Sequence, residues 1–404
     1  MAISGKRPAD SYSPLYFLAS LGAGGLAVTF FMYLMYWVPK DGKPVPVFED
    51  ITAAFATGGL PMQIAITVAV IGIAIFAFLN VKLLLWNFGA LRRFAQTEAY
   101  DKLRSSNAES ALLAGPLATA MSINAMFIVG LVFVPGLWSV IEYLFPLALV
   151  AFAAVAFWAF RLIGRFLGRV MSQGGAFDLA AHNSFAQLMP AFALSMISVG
   201  LSAPAAMSTN PTTVAAGLVL SSFVGIAAAL YLVIGVITAI PAILQHGTAR
   251  EAAPTLMVIV PLMTVLGIMT LRQNHGLHEV FDTHITDAQT MVFLAKLLAV
   301  QVLFILLGLA VLRRQGYFTD FVMGDKTSPG SYALVCPGVA LAVMVHFFVN
   351  KGLVDAGVIA QFGLVYWALT AVALTSQALM VWLVLRLNRQ HFSAPAAAVA
   401  VPAE

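Results

Sequence analysis

Charge and cysteine are both scarce in this chain. Its 404 residues include 21 Lys or Arg and 17 Asp or Glu, so 9% are charged, where a soluble domain carries roughly 25%. That scarcity excludes an ordinary water-solvated surface and the soluble classes of protein that need one. The single cysteine, Cys336, excludes an internal disulfide and any cysteine-rich metal centre. No phosphate-binding glycine loop, hydrolase triad spacing, haem-attachment motif or nucleic-acid motif occurs. In their place stands apolar sequence, with 61% hydrophobic residues and a mean hydropathy of +0.93.

The apolar residues gather into ten runs that meet the bilayer-crossing length of about 17 to 25 residues. They lie near 14–38, 62–86, 109–134, 138–160, 185–204, 214–240, 254–271, 289–312, 331–349 and 356–386. The pattern predicts an all-α integral membrane protein with a single transmembrane domain over 13–388. A short N-terminal segment (1–12), expected in the cytoplasm, precedes it, and a low-complexity cytoplasmic tail (389–404), expected to be disordered, follows. Lys6 and Arg7 ahead of an apolar run superficially resemble a signal peptide. The run from Pro14 to Val38 is too long for one and shows no small-residue cleavage site, so it counts as the first span.

Basic residues set the expected orientation. Sixteen of the 21 Lys and Arg fall in connections on one side, four (Lys40, Lys43, Arg272 and Lys351) fall on the other, and Lys296 lies inside span eight. By the positive-inside rule both termini are expected in the cytoplasm; the membrane is expected to be a bacterial inner membrane. Short links on the opposite side predict antiparallel helical hairpins. Each hairpin begins with a candidate N-cap: Ser13-Pro14, Ser106-x-x-Glu109, Ser184-x-x-Gln187, Thr248-x-x-Glu251 and Ser328-Pro329. Four of these starts are followed by an interior proline (Pro116, Pro190, Pro261, Pro337), and the first by Gly22-Ala-Gly24-Gly25. The expectation is a five-fold pseudo-repeat of hairpins, each odd span broken near mid-membrane, around a central pore. The stretch from Ser331 to Asn350 shows the argument most sharply. Cys336 stands directly before Pro337, whose missing N–H deprives the Ala333 carbonyl of its helical partner. Lipid cannot supply a replacement, so that site is expected to face other helices or a wet cavity.

This pattern resembles the superfamily of TehA and SLAC-type anion channels and tellurite-resistance/dicarboxylate transporters. The likeness covers roughly residues 12–390 and is carried by P-L-Y-F-L-A-S-L-G-A-G-G-L (14–26), by the broken odd helices and by the topology. It implies a pore through each subunit, small inorganic or organic anions as permeants, and a homotrimer. In the superfamily an aromatic residue of the ninth helix closes the pore. Cys336 occupies that region here, a departure that puts simple gating in doubt. The chain is also similar to the TsoY (seleno)protein branch, which implies that selenocysteine can occupy the Cys336 position.

The expected pore lining is therefore Gly22, Gly24, Pro116, Pro190, Pro261, Cys336 and Pro337. Cys336 is either an ordinary small buried hydrophobe or a redox centre cycling through a sulfenic acid or mixed disulfide. Lys296 either faces the bundle and attracts anions or snorkels to the interface. His275, His278 and His284, in an outer loop expected over 272–289 among Glu279, Asp282 and Asp287, suit a metal if they converge; the alternative is a solvated polar loop. His346 is one more candidate, against a structural role. Arg161, Arg165 and Arg169 share a helical face and read as a stripe against anionic headgroups. The favoured function is a channel or secondary transporter for an oxyanion, halide or dicarboxylate, with no cofactor and no nucleic-acid partner. The alternatives are a thiol-dependent membrane redox protein using Cys336 and, further off, a quinol-linked oxidoreductase subunit.

Overall fold

Backbone groups inside lipid must find partners within the chain, and the helix does this segment by segment. The computed structural model describes residues 8–40, 42–173, 177–178 and 183–392, and no strand occurs among them. Lys6, Arg7 and the tail beyond Phe392 lie outside the described residues. Among the described residues ten helices are long and apolar enough to cross a membrane, as an integral membrane protein requires. Numbered as spans one to ten, they run Pro14–Trp37, Leu60–Phe94, Asn107–Phe133, Leu137–Ser172, Phe185–Met207, Pro211–His246, Arg250–Phe281, Asp287–Arg314, Pro329–Val354 and Leu364–Phe392. Several run well past the apolar stretches in the sequence. Span six has 36 residues, about 54 Å at 1.5 Å per residue, against a hydrocarbon core of about 30 Å.

The odd and even spans differ in burial. Within the most apolar window of each, 56 to 100% of positions are buried in the odd spans and 17 to 39% in the even ones. Span one packs on three, three on five, five on seven, seven on nine, and nine back on one, while each odd span also packs on the even span that follows it. A helix that is apolar all round can serve either position, and here the odd ones take the interior.

Small residues allow the closest approaches. Asn80 of span two donates to the Ser20 carbonyl of span one (2.8 Å), and the Ser20 hydroxyl donates back to the Asn80 carbonyl (2.9 Å). Ala205 of span five is pressed from two sides by glycines. A Cβ on Gly217 of span six would come 3.0 Å from its nitrogen, and one on Gly276 of span seven would overlap its carbonyl oxygen. Gly276→Ala gains up to ~1 kcal/mol of helix propensity but forces two backbones apart, a cost of about 1–3 kcal/mol. The overlap wins, because a carbonyl cannot swing aside as a side chain can. Thermal unfolding in detergent should show a lowered midpoint for Gly276→Ala and a smaller change for Gly217→Ala.

The structure corrects the expected mid-membrane breaks. Each odd span opens as a 3-10 turn, at Pro14–Tyr16, Asn107–Leu113, Phe185–Leu188, Arg250–Met257 and Pro329–Leu334. The α-helices then start at Phe17, Ala114, Met189, Ile259 and Val335. Pro116, Pro190, Pro261 and Pro337 are thus the second or third residue of an α-helix. The first four N–H groups of a helix have no intrahelical acceptor, so a proline there costs no hydrogen bond. Each proline marks the junction between two helix types and interrupts neither. Three of the five expected caps form: the Ser13, Ser106 and Ser184 hydroxyls accept from the N–H two residues on.

Two further differences matter for function. Span seven continues to Phe281, so Arg272, His275 and His278 sit on a helix, and only the stretch from Asp282 to Thr286 is left as a loop. The arginine stripe on span four is also not uniform. Arg169 donates to Glu109 of span three (2.9 and 3.1 Å) and to the Ser105 and Ser106 carbonyls, which makes it an interhelical tie.

Candidate functional site

A cavity of about 920 Å³ lies among the odd spans. The face of the protein bearing Arg92, Arg93, Arg169, Arg313 and Arg314 is called the arginine-rich face below. The cavity ends towards that face at a floor of Gly22 (span one), Met121 (three), Phe192 (five), Pro261 (seven) and Cys336 (nine). With Leu21, these are the lining residues of the odd spans nearest that face. From the floor the cavity extends to the opposite face, where Lys40, Lys43, Thr209, Glu279, Asp287 and Asp355 line its mouth.

Helical phase explains which expected pore residues reach it. On span nine Cys336, Val339, Ala340, Val343 and Phe347 line the cavity; on span seven Pro261, Thr264, Val265, Ile268 and Arg272 do. These are steps of three and four along one face. Gly22, Pro261 and Cys336 lie on such faces. Gly24, Pro116, Pro190 and Pro337 are buried but absent from the lining. Pro337 is one residue, about 100° of turn, from Cys336, and Pro190 is two residues from Phe192, so both point elsewhere. A Cβ on Gly24 would come 2.8 Å from Asn80 Nδ2 and from Met121 Cγ, so that glycine serves close packing.

Arg272, expected in the outer loop, stands in the interior instead. It lines the cavity, and its Nη1 donates to the Val199 carbonyl of span five at 2.6 Å. Among the described residues no carboxylate lies within ion-pair distance of it. A guanidinium keeps its charge under all ordinary conditions and offers five donors. With one donor on Val199, the rest are left to whatever fills the cavity. The signal for this was present: the apolar run stops at Leu271, but no helix breaker follows before Gly276.

Between Arg272 and the floor the lining is apolar apart from Asn124, Thr264 and Cys336. The first two are engaged. Asn124 donates to the Ala120 carbonyl (3.1 Å). Thr264 donates to the Val260 and Ala340 carbonyls and accepts from Gln301 Nε2 at 2.6 Å. Gln301, Gln187 and Gln377 all bond across spans, as interhelical polar links do. Cys336 is 7% exposed and lines the cavity floor.

The remaining candidates are separated. Lys296 is exposed on span eight and does not line the cavity, so the inward-facing reading of it is corrected. Its long stem on a largely exposed helix suits the interface instead. His275 and His278 line the mouth. The His278 ring lies 5.0 Å from that of His284, whose Nε2 is 3.3 Å from Asp282 Oδ1. No group of three or more His, Cys, Asp or Glu able to hold a metal occurs among the described residues. His346 is 1% exposed, its ring sits against those of Tyr33, Tyr36 and Trp37, and neither ring nitrogen has a hydrogen-bond partner among the described residues. It stands behind the cavity wall, between Val343 and Phe347 in sequence.

Mouth charge responds to pH through Lys40. Its ammonium donates to the Met35 carbonyl (2.7 Å) and lies 5.9 Å from the Tyr36 ring centre. Burial, followed by the Lys351 charge, pulls its pKa down to about 8, against the opposing pull of Asp355 and Asp50. The amine is charged at pH 7 and neutral above pH 9. If the mouth concentrates anions, uptake should fall as pH rises from 7 to 9, and Lys40→Met should remove that step and give a low, flat profile.

Comparison with protein-family models, with curated proteins and with solved structures found no match to this chain.

Proposed function

We propose that this protein passes small anions across a bilayer, as a channel or secondary transporter, along the axis enclosed by its odd-numbered spans. The observation that carries the reading is Arg272, a guanidinium without a carboxylate partner among the described residues, facing a deep cavity. A charge at that depth is costly to bury, and an anionic visitor offsets the cost. The mutual packing of the odd spans and the recurrence of a 3-10 start in all five support a pore built from five pseudo-repeated hairpins. The likeness to TehA and SLAC-type proteins adds the expectation of a homotrimer. The bias of Lys and Arg to one face favours cytoplasmic termini, and we place the protein in a bacterial inner membrane. In that orientation the cavity is open to the outside, and its floor is the closed gate.

Purified protein in liposomes should carry anion flux or current. Absence of flux for halide, nitrate, sulfite, tellurite and dicarboxylates alike would overturn the reading. Cys336 supplies the internal check. Cys336→Ala should raise flux by enlarging the floor, and Cys336→Phe should lower it, with thermal stability held within ~1–3 kcal/mol. Equal flux from wild type and both variants would remove Cys336 from the pathway.

The thiol reading keeps one observation in its favour, since the cavity gives solutes a route to Cys336. It requires reaction of the thiol with peroxide and with alkylating reagents added from the cavity side. A cysteine inert to both would end it.

A further inference from the structure

The cavity differs in character above and below Arg272. Towards the mouth it is charged, with Lys40, Lys43 and Lys351 beside Glu279, Asp287 and Asp355. Lys43 is paired with Asp50 (2.7 Å) and Lys351 with Asp355 (2.9 Å), so much of that charge is already balanced. Below Arg272 the walls are Phe, Met, Ile, Val and Leu, and the two amide or hydroxyl side chains there are already bonded to the protein. Arg272 and Pro261 are eleven residues apart on one helix, so the apolar part runs roughly 16 Å deep.

An inorganic anion finds one useful group here. At Arg272 it gains a charged donor, but any step towards the floor strips its water with nothing offered in exchange, the costliest transfer available to an ion. A molecule with a carboxylate at one end and an apolar body meets no such conflict. Its head takes the free N–H groups of Arg272, for which a planar carboxylate is the matched acceptor. Its body displaces water from apolar walls. A cavity of about 920 Å³ is also within the usual range for a small organic ligand and far larger than a bare ion needs.

We infer that the substrate is an organic monocarboxylate with an apolar body, bound with its carboxylate on Arg272 and its body towards Met121, Phe192 and Cys336. This rests on the anion-transport reading and narrows its substrate class. Binding should tighten by about fourfold for each added methylene.

The test measures binding of acetate, butyrate and hexanoate, with nitrate and hexanol as controls. It uses the full chain in nanodiscs, with empty nanodiscs to subtract partitioning into lipid. Hexanoate should bind at least tenfold more tightly than acetate or nitrate, and hexanol should bind weakly. Arg272→Gln should cost hexanoate at least tenfold and leave hexanol unchanged; Arg272→Lys should retain part of the affinity, which guards against a variant that merely misfolds. Bound hexanoate should also slow alkylation of Cys336 by a soluble maleimide, a readout independent of flux. Equal affinity across the carboxylate series, with nitrate or halide flux intact in liposomes, overturns this inference and leaves anion transport standing. Absence of both binding and flux for every anion overturns the two together.

Discussion

Replacing Arg272 by Glu should lower anion flux by about 100-fold or more. The wild-type guanidinium meets the cavity with all but one of its donors free of protein partners among the described residues. A hydrogen bond to a charged group contributes roughly 1.5–3 kcal/mol, which is about 10- to 150-fold in affinity. Glutamate removes that attraction and adds repulsion in a setting where apolar walls screen poorly. The comparison that decides the matter is Lys43→Glu at the mouth. Lys43 is already neutralised by Asp50 and stands near water, so its loss should change flux only a few-fold, and less at high salt. Initial rates in proteoliposomes, normalised to folded protein, read both variants. Unchanged flux in Arg272→Glu would mean that the cavity is not the route.

The second large effect concerns stability. Glu109 is 6% exposed and accepts from Arg169 Nε and Nη2, with Arg104 Nε 3.8 Å away. Glu109→Ala removes the carboxylate that ties Arg169 between spans three and four. Breaking a buried pair from one side costs about 3–5 kcal/mol. The lower end is expected here, because Arg169 keeps its bonds to the Ser105 and Ser106 carbonyls. Thermal unfolding should therefore move down by a few degrees, while Arg161→Ala, an exposed arginine on the same helix, should change little. A Glu109→Ala midpoint equal to wild type would show that water reaches and compensates the pair.

These residues also show where the sequence can be read and where it cannot. Ten helices, their order and the crowding of arginine on one face follow from the sequence, because lipid imposes length and composition on every span separately. Proline positions were legible as events in the odd spans, but their meaning was not. A proline inside an α-helix and one at the start of an α-helix look alike in a string, and only the 3-10 turns that precede them settle the difference. Pro61, Pro146 and Pro241 fall in even spans as well, so proline by itself does not separate odd from even, and the ring of contacts required the fold.

The lining of the cavity was nearly invisible for a physical reason. In a soluble protein the polar face of a helix points to water and the periodicity announces the core. In a membrane helix the faces towards lipid, neighbour and cavity are all apolar, so Met121, Phe192 and Val339 carry no mark that separates them from residues touching lipid. Arg272 does carry a mark, its charge, but the apolar run ends one residue before it and so points to a loop rather than to the interior. Whether a helix ends with its hydrophobic stretch is decided by whether another helix offers partners beyond that point. Span five supplies them through the Val199 carbonyl and the backbone at Ala205. The sequence alone determined that this chain has ten stretches long and apolar enough to cross a membrane and that most of its basic residues fall in alternate connections. Only tertiary packing decided that Arg272 stands inside, that Lys296 stands outside, and that Cys336 rather than Pro337 faces the cavity, because phase and neighbour, unlike composition, are properties of the assembled bundle.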